Sequence, residues 1–162
     1  MAVISTTPDP SARTLTLVAE LAAPPARVWQ LWSDPRQLER WWGPPTWPAT
    51  FVEHDLVAGG GSRYRMTGPD GEQAHGWWSV LAVDEPRSLE LEDGFADEAG
   101  QPVPDLPTTR MRVRLEEAGA GSTRMTLVSE FATVEQMEQL TQMGMVEGLT
   151  LAMGQMDELL AA

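Results

Sequence analysis

Residues 133–160 read TVEQMEQLTQMGMVEGLTLAMGQMDELL, and no other stretch of the 162-residue chain is long enough for a many-turn helix. Thr133 suits an N-cap, and Gln136 three residues on completes a Thr-x-x-Gln capping box. Ala132 and Met137 stand where a hydrophobic staple would stand. At helical spacing one face carries Val134, Met137, Thr141, Met145, Gly148, Ala152, Met156 and Leu159. Leu149 and Leu160 flank it on one side, Leu140 and Leu151 on the other. So broad an apolar stripe must be covered by something large. Its middle is small: Thr141, Gly144, Gly148 and Ala152. Each interior glycine costs roughly 1 kcal/mol against alanine, a cost tolerated where a backbone or ligand comes close or where space is left. The surrounding methionines adapt to irregular shapes. The helix therefore reads as a lid over a sheet, with either a cavity or a methionine-padded core beneath its centre.

The preceding chain supplies the sheet. Residues 1–11, with Pro8 and Pro10, read as a loose lead-in. Arg13 to Ala22 alternates as a half-buried strand, with Leu15, Leu17 and Ala19 on one side. Pro24-Pro25 opens a short helix that buries Val28, Leu31 and Trp32. Asp34 caps a second one, with Pro35 at its first position. That helix carries Leu38, Trp41 and Trp42 and stops at Gly43-Pro44-Pro45. Six strands follow, over 49–56, 62–67, 74–83, 87–92, 110–116 and 123–131, with Gly59-Gly60-Gly61, Gly68-Pro69-Asp70-Gly71 and Gly119–Ser122 as turns. A long acidic loop spans 94–107. Short turns between six strands imply an antiparallel meander. The expected architecture is α+β in two layers: a curved, seven-stranded antiparallel sheet around one long C-terminal helix, with two short helices after the first strand. Residues 12–162 read as a single domain.

Composition removes several classes of function. The chain has 24 acidic residues, 11 arginines and no lysine, for a formal charge of −13. Nucleic acid and anionic membranes both require basic surface, so neither is an expected partner. Without cysteine there is no disulfide and no thiolate metal site. The first residues lack the basic and apolar regions of a secretory signal, and no stretch reaches transmembrane length, so the expected location is cytoplasmic.

From Pro24 to Pro45 the chain resembles a known family. Val28-Trp29-Gln30-Leu31-Trp32, then Asp34-Pro35, Leu38 and Trp41-Trp42-Gly43-Pro44, resemble the START-like (SRPBCC, helix-grip) superfamily. The match within it is the branch of Aha-type homologues, named for activators of a heat-shock chaperone ATPase. Gly60-Gly61 with Arg63-Tyr64-Arg65, the turn at 68–71, Gly76, and Gly148 with Asp157 to Leu160 resemble the branch's later signatures. The likeness runs over about residues 12–161. It implies a seven-stranded sheet gripping the C-terminal helix around an apolar cavity. Two departures stand out. Gly148-Leu149 replaces the Gly-Trp frequent in the family, which would widen or reshape the cavity. Chaperone activators also carry a separate N-terminal domain, which has no counterpart in these residues.

Searching for chemistry yields little. No Gly-x-Ser-x-Gly is present, and the triple glycine is no phosphate loop, since no lysine and no helix follow it. His54 and His75 fall on strands that are second neighbours, roughly 10 Å apart at strand spacing. Alternation sends Glu53 and Asp55 to the face opposite His54, so no metal and no cofactor is expected. Trp77-Trp78 places one indole on each face of the sheet. The arginines at 63, 65, 110, 112 and 114 read as a solvated outer face. The expected cavity residues are Trp41, Trp42, His54, Tyr64, His75, Trp77, Met111, Met125, Met145, Gly148, Leu149, Ala152 and Met156. The expected function is binding of a small hydrophobic molecule, by a monomer or a homodimer. A polyketide cyclase or hydrolase type of enzyme is the alternative, with His54, His75, Tyr64 and Glu130 as its candidate polar groups. A third alternative is a co-chaperone acting through its outer surface.

Overall fold

The computed structural model describes residues 3–161. Met1, Ala2 and Ala162, parts of the expected lead-in and domain, lie outside the described residues. Among those described, eight antiparallel strands form one sheet. They are β1 (Val3–Asp9), β2 (Thr14–Leu21), β3 (Ala49–His54), β4 (Gly61–Thr67), β5 (Gln73–Asp84), β6 (Ser88–Ala96), β7 (Thr109–Glu117) and β8 (Thr123–Phe131). The order across the sheet is β1-β2-β8-β7-β6-β5-β4-β3. Between β2 and β3 stand α1 (Pro25–Ser33) and α2 (Pro35–Leu38). After β8 come α3 (Val134–Gln142), α4 (Met145–Gly154) and α5 (Met156–Ala161). This is the helix-grip fold, with one strand more than expected.

That strand is a correction to the loose lead-in. Residues 3–9 pair with β2, in a register that sets Thr7 opposite Thr16 and Pro8 opposite Leu15. Valine, isoleucine and threonine favour a pleated backbone, and Pro8 is tolerated because β1 lies at the sheet edge. Val3 reaches the hydrophobic core.

Alternation is strictest in β7, where Thr109, Met111, Val113 and Leu115 are buried and the intervening arginines are exposed. β8 repeats it with Met125, Leu127, Ser129 and Phe131. These inward side chains meet Leu15, Leu17 and Ala19 of β2, together with Val28, Leu31 and Trp32 of α1, in one continuous core. Asp34 ends α1 and starts α2: its carboxylate accepts from Arg36 N at 2.9 Å, and Pro35 takes the first helical position. The second short helix is briefer than expected. It stops at Leu38, and Trp41 and Trp42 follow in turns whose N–H groups both donate to the Leu38 carbonyl.

The expected single long helix is broken twice, a second correction. Thr133 does cap α3, accepting from Gln136 N at 3.1 Å. The first break is at Gly144, whose φ of 92° is left-handed. Such a residue ends one helix and here also begins the next, because Gly148 N donates to Gly144 O. The second break is at Gln155. Its side-chain amide leaves the helix to donate to Gly43 O at 2.7 Å, which ties α4 and α5 to the turn after α2. α3 packs on β8, α4 reaches β1, and α5 packs on β2 and α1. The helical tail thus leans on one half of the sheet and leaves a gap facing the other half.

Candidate functional site

Strand register builds the floor of that gap. One row across the inner face sets His54 opposite Ser62, Ser62 opposite Trp78, Trp78 opposite Asp93, Asp93 opposite Thr109, and Thr109 opposite Phe131. The adjacent row is Phe51, Tyr64, Gly76 and Phe95. Tyr64 lies across Gly76: a Cβ added at Gly76 would collide with Tyr64 Cζ and Oη. The missing side chain lets the phenol reach diagonally to the next row, where Tyr64 Oη donates to Asp93 Oδ1 at 2.7 Å.

Asp93 is a carboxyl among apolar groups. Burial pushes its pKa up to about 7, and the neighbouring Tyr64 hydroxyl and Trp78 indole oppose that rise without cancelling it. The Tyr64 hydroxyl is pushed well above its ordinary value, first by burial and then by the negative charge of Asp93. The Nε1 atoms of Trp42 and Trp78 are buried and form no hydrogen bond within the described protein. Trp42 meets Trp78 edge to face, with ring centres 4.9 Å apart, and its ring centre is 6.0 Å from that of Tyr64.

Above this floor lies a cavity of about 280 Å³. Its sheet side is Tyr64 and Met66 of β4, Asp93 to Phe95 of β6, and Thr109 and Met111 of β7. Trp42, Gly43 and Pro44 close one side, and Pro107 comes from the loop before β7. The helical side is Leu140 and Met143 to Met145, then Gly148, Leu149 and Ala152. The helix break thus lies on the cavity wall. Met143 is 55% exposed beside it, so a large flexible apolar side chain stands at the surface end. A Cβ built at Gly148 meets nothing within 4 Å, which identifies the small centre of the helix as open space.

The structure brings together Trp42, Tyr64, Met111, Met145, Gly148, Leu149 and Ala152 of the expected cavity residues. The other six are elsewhere. Trp41 is fully buried behind Trp42, its indole donating to Leu31 O at 2.8 Å. Met125 and Met156 are core, each 0% exposed. Trp77 lies on the outer face, its ring over Gly94 and its Nε1 donating to Phe95 O at 3.0 Å; Trp78 is the inward indole. His75 is outward too, in a shallow depression with Arg63, Arg65 and Glu98. His54 faces inward but is occupied: Nε2 meets Trp32 O at 2.8 Å and Nδ1 meets Ser62 Oγ at 2.7 Å. A carbonyl only accepts, so Nε2 carries a proton, and in the neutral ring Nδ1 then accepts from Ser62. Burial depresses its pKa in keeping with that state. Glu130 alternates outward on β8, opposite Arg110. Among the described residues no three histidine or carboxylate side chains converge as metal ligands.

Asp93, Met66, Phe95, Thr109, Leu140 and Met143 also line the wall and are not among the expected residues. The signal for Asp93 was present in the inward row Leu89-x-Leu91-x-Asp93-x-Phe95, where a carboxylate stands in an apolar register.

A sequence model of the family described as Activator of Hsp90 ATPase homolog 1-like protein matches residues 22–161. The solution structure of a protein from Arthrobacter aurescens is 50% identical, covers 98% of this chain and 92% of its own, and superposes with a TM-score of 0.94. The crystal structure of protein Ms6760 from Mycobacterium smegmatis is 48% identical over 97% of this chain and 96% of its own, with a TM-score of 0.90. CalU16 from Micromonospora echinospora, at 19% identity, 94% and 87% coverage and a TM-score of 0.56, shares the fold alone. No curated protein matches the chain. No described helix is long and apolar enough to cross a membrane.

Proposed function

The chain belongs to the Activator of Hsp90 ATPase homolog 1-like family of the START-like superfamily, and from that premise we propose that it binds a small hydrophobic molecule in the cavity between β4–β7 and α4. The observation that carries this reading is the open space under Gly148. A helix that served only as core would fill that position, because a side chain there improves helix propensity by up to about 1 kcal/mol and adds buried apolar area. This chain does neither, and it surrounds the gap with Met111, Met145, Leu149 and Ala152.

Ligand pockets are concave, mostly apolar and furnished with a few convergent polar groups. Here those groups are Tyr64, Asp93 and Thr109. Burying roughly 300 Å² of ligand surface at about 25 cal/mol per Å² yields on the order of 8 kcal/mol before association costs. Less association costs of several kcal/mol, that leaves binding in the micromolar-to-millimolar range.

The test is titration of 1-naphthylmethanol, a neutral two-ring probe, followed by calorimetry and tryptophan emission. Trp42 lines the cavity, so the emission should move as the probe binds. Heat and an emission shift that saturate together support the reading. No binding at millimolar probe overturns it.

A further inference from the structure

Resting on that cavity reading, we infer that the bound molecule is a lipophilic amine, its ammonium group held by the Asp93 carboxylate between the rings of Trp42, Tyr64 and Phe95. The cavity wall carries one acidic side chain, Asp93, and no basic one. A ligand with a carboxylate or phosphate would meet an acid of its own sign with no cation to offset it. An ammonium would meet the opposite charge.

Geometry leaves the carboxyl available. Tyr64 Oη donates to Oδ1, and Asp93 lines the cavity wall beside it. The Tyr64 contact also fixes the carboxyl, which keeps Oδ2 in place for an N–H donor. Trp42, Tyr64 and Phe95 border the same space, and aromatic faces attract organic cations by about 0.5–2 kcal/mol each, most when water is excluded. The protein's charge of −13 raises the local concentration of cations further. Burial that pushes Asp93 up to about 7 shows the carboxylate to be only partly compensated by Tyr64 and Trp78, and a cation supplies the missing charge. An alcohol could donate to Oδ2 as well, but it gains nothing from the aromatic faces or the net charge.

The experiment compares 1-naphthylmethylamine, 1-naphthylmethanol and 1-naphthoic acid by calorimetry at pH 8, on the wild-type protein and on Asp93→Asn. The amine should bind at least tenfold more tightly than the alcohol, and the acid more weakly than either. Asp93→Asn should bring the amine to within about twofold of the alcohol. Wild-type protein gives an independent reading. Amine affinity should rise about tenfold from pH 6 to pH 8 as Asp93 ionises, while alcohol affinity stays flat. Tyr64 from β4 is the other titratable group on the cavity wall and does not ionise in that range; Trp42, Trp78 and Thr109, which surround Asp93 from the remaining elements, do not titrate. Equal or tighter binding of the alcohol or acid overturns the amine inference and leaves the cavity reading standing. So does an amine affinity that ignores both Asp93→Asn and pH. Absence of binding by all three probes overturns both.

Discussion

Tyr64 reaches Asp93 only because residue 76, between them on the inner face, has no side chain. A phenol on β4 and a carboxyl on β6 would otherwise be separated by whatever β5 presented. Gly76→Val should therefore displace the Tyr64 ring, and overpacking of that kind costs about 1–3 kcal/mol. Urea denaturation measures it. A variant as stable as wild type would show that the ring has room to move and that the contact is not imposed by the register.

Asp93 makes stability depend on pH in the direction opposite to most carboxylates. Its ordinary value of 3.8 applies to the unfolded chain, and about 7 applies to the folded one. Between those values the folded state holds a proton that the unfolded state has lost, so this contribution falls as pH rises, by about 1.4 kcal/mol per pH unit. It is fully present below 3.8, lost through about 7, and constant above. Asp93→Asn keeps the shape of the neutral acid without titrating. Urea midpoints at pH 5 and pH 8 should show the variant gaining on wild type by a few kcal/mol, on the order of 3. Parallel pH profiles would mean that Asp93 is ionised in the fold throughout.

The sheet was legible because its inner face is read by alternation, and β7 and β8 alternate without interruption. What the sequence hid follows from features that alternation does not encode. Trp77 and Trp78 are equivalent on paper, and their faces are set by register with Gly76 and Asp93. Pro8 reads as a breaker and hides the first strand, although at an edge it disrupts no ladder. The helix reads as continuous because glycine at 144 fits both a close approach and a left-handed stop, and only backbone geometry separates them.

His54 links α1 to the sheet by bridging the Trp32 carbonyl and Ser62. The carbonyl is one of the orphan acceptors at a helix end, so its partner matters. His54→Phe should leave the carbonyl and the Ser62 hydroxyl without a protein partner and cost about 1–3 kcal/mol in urea denaturation. His54 also adds pH dependence of the usual sign. Burial depresses its folded pKa below 6.5, so its contribution is present above 6.5 and declines as pH falls toward the folded value. In wild type this partly offsets the Asp93 slope; in His54→Phe the profile from pH 5 to 7 should fall more steeply with pH. An unaltered slope would show that His54 titrates alike folded and unfolded.

Gly144 and Gly148 are both helix-tail glycines with nothing within 4 Å of a built Cβ, yet they should respond oppositely. At Gly144 the left-handed φ of 92° penalises any side chain by about 1–2 kcal/mol, so Gly144→Ala should lower the urea midpoint. A rise would mean that the helix runs through.

At Gly148 the backbone is helical and the space is open, so the usual penalty for filling a core is absent. Leucine there improves helix propensity by up to about 1 kcal/mol and buries apolar surface against Met111 and Met145, which line the same gap. Gly148→Leu should therefore be as stable as wild type or more so. It should also remove the volume that a ligand needs, weakening 1-naphthylmethanol at least tenfold. These two outcomes separate a cavity kept open for binding from a packing defect, because only the former exchanges stability for affinity. A destabilised variant would show the helix face to be tight. A stable variant that still binds the probe would place the ligand away from Gly148, and the carrying observation for the cavity reading would be lost.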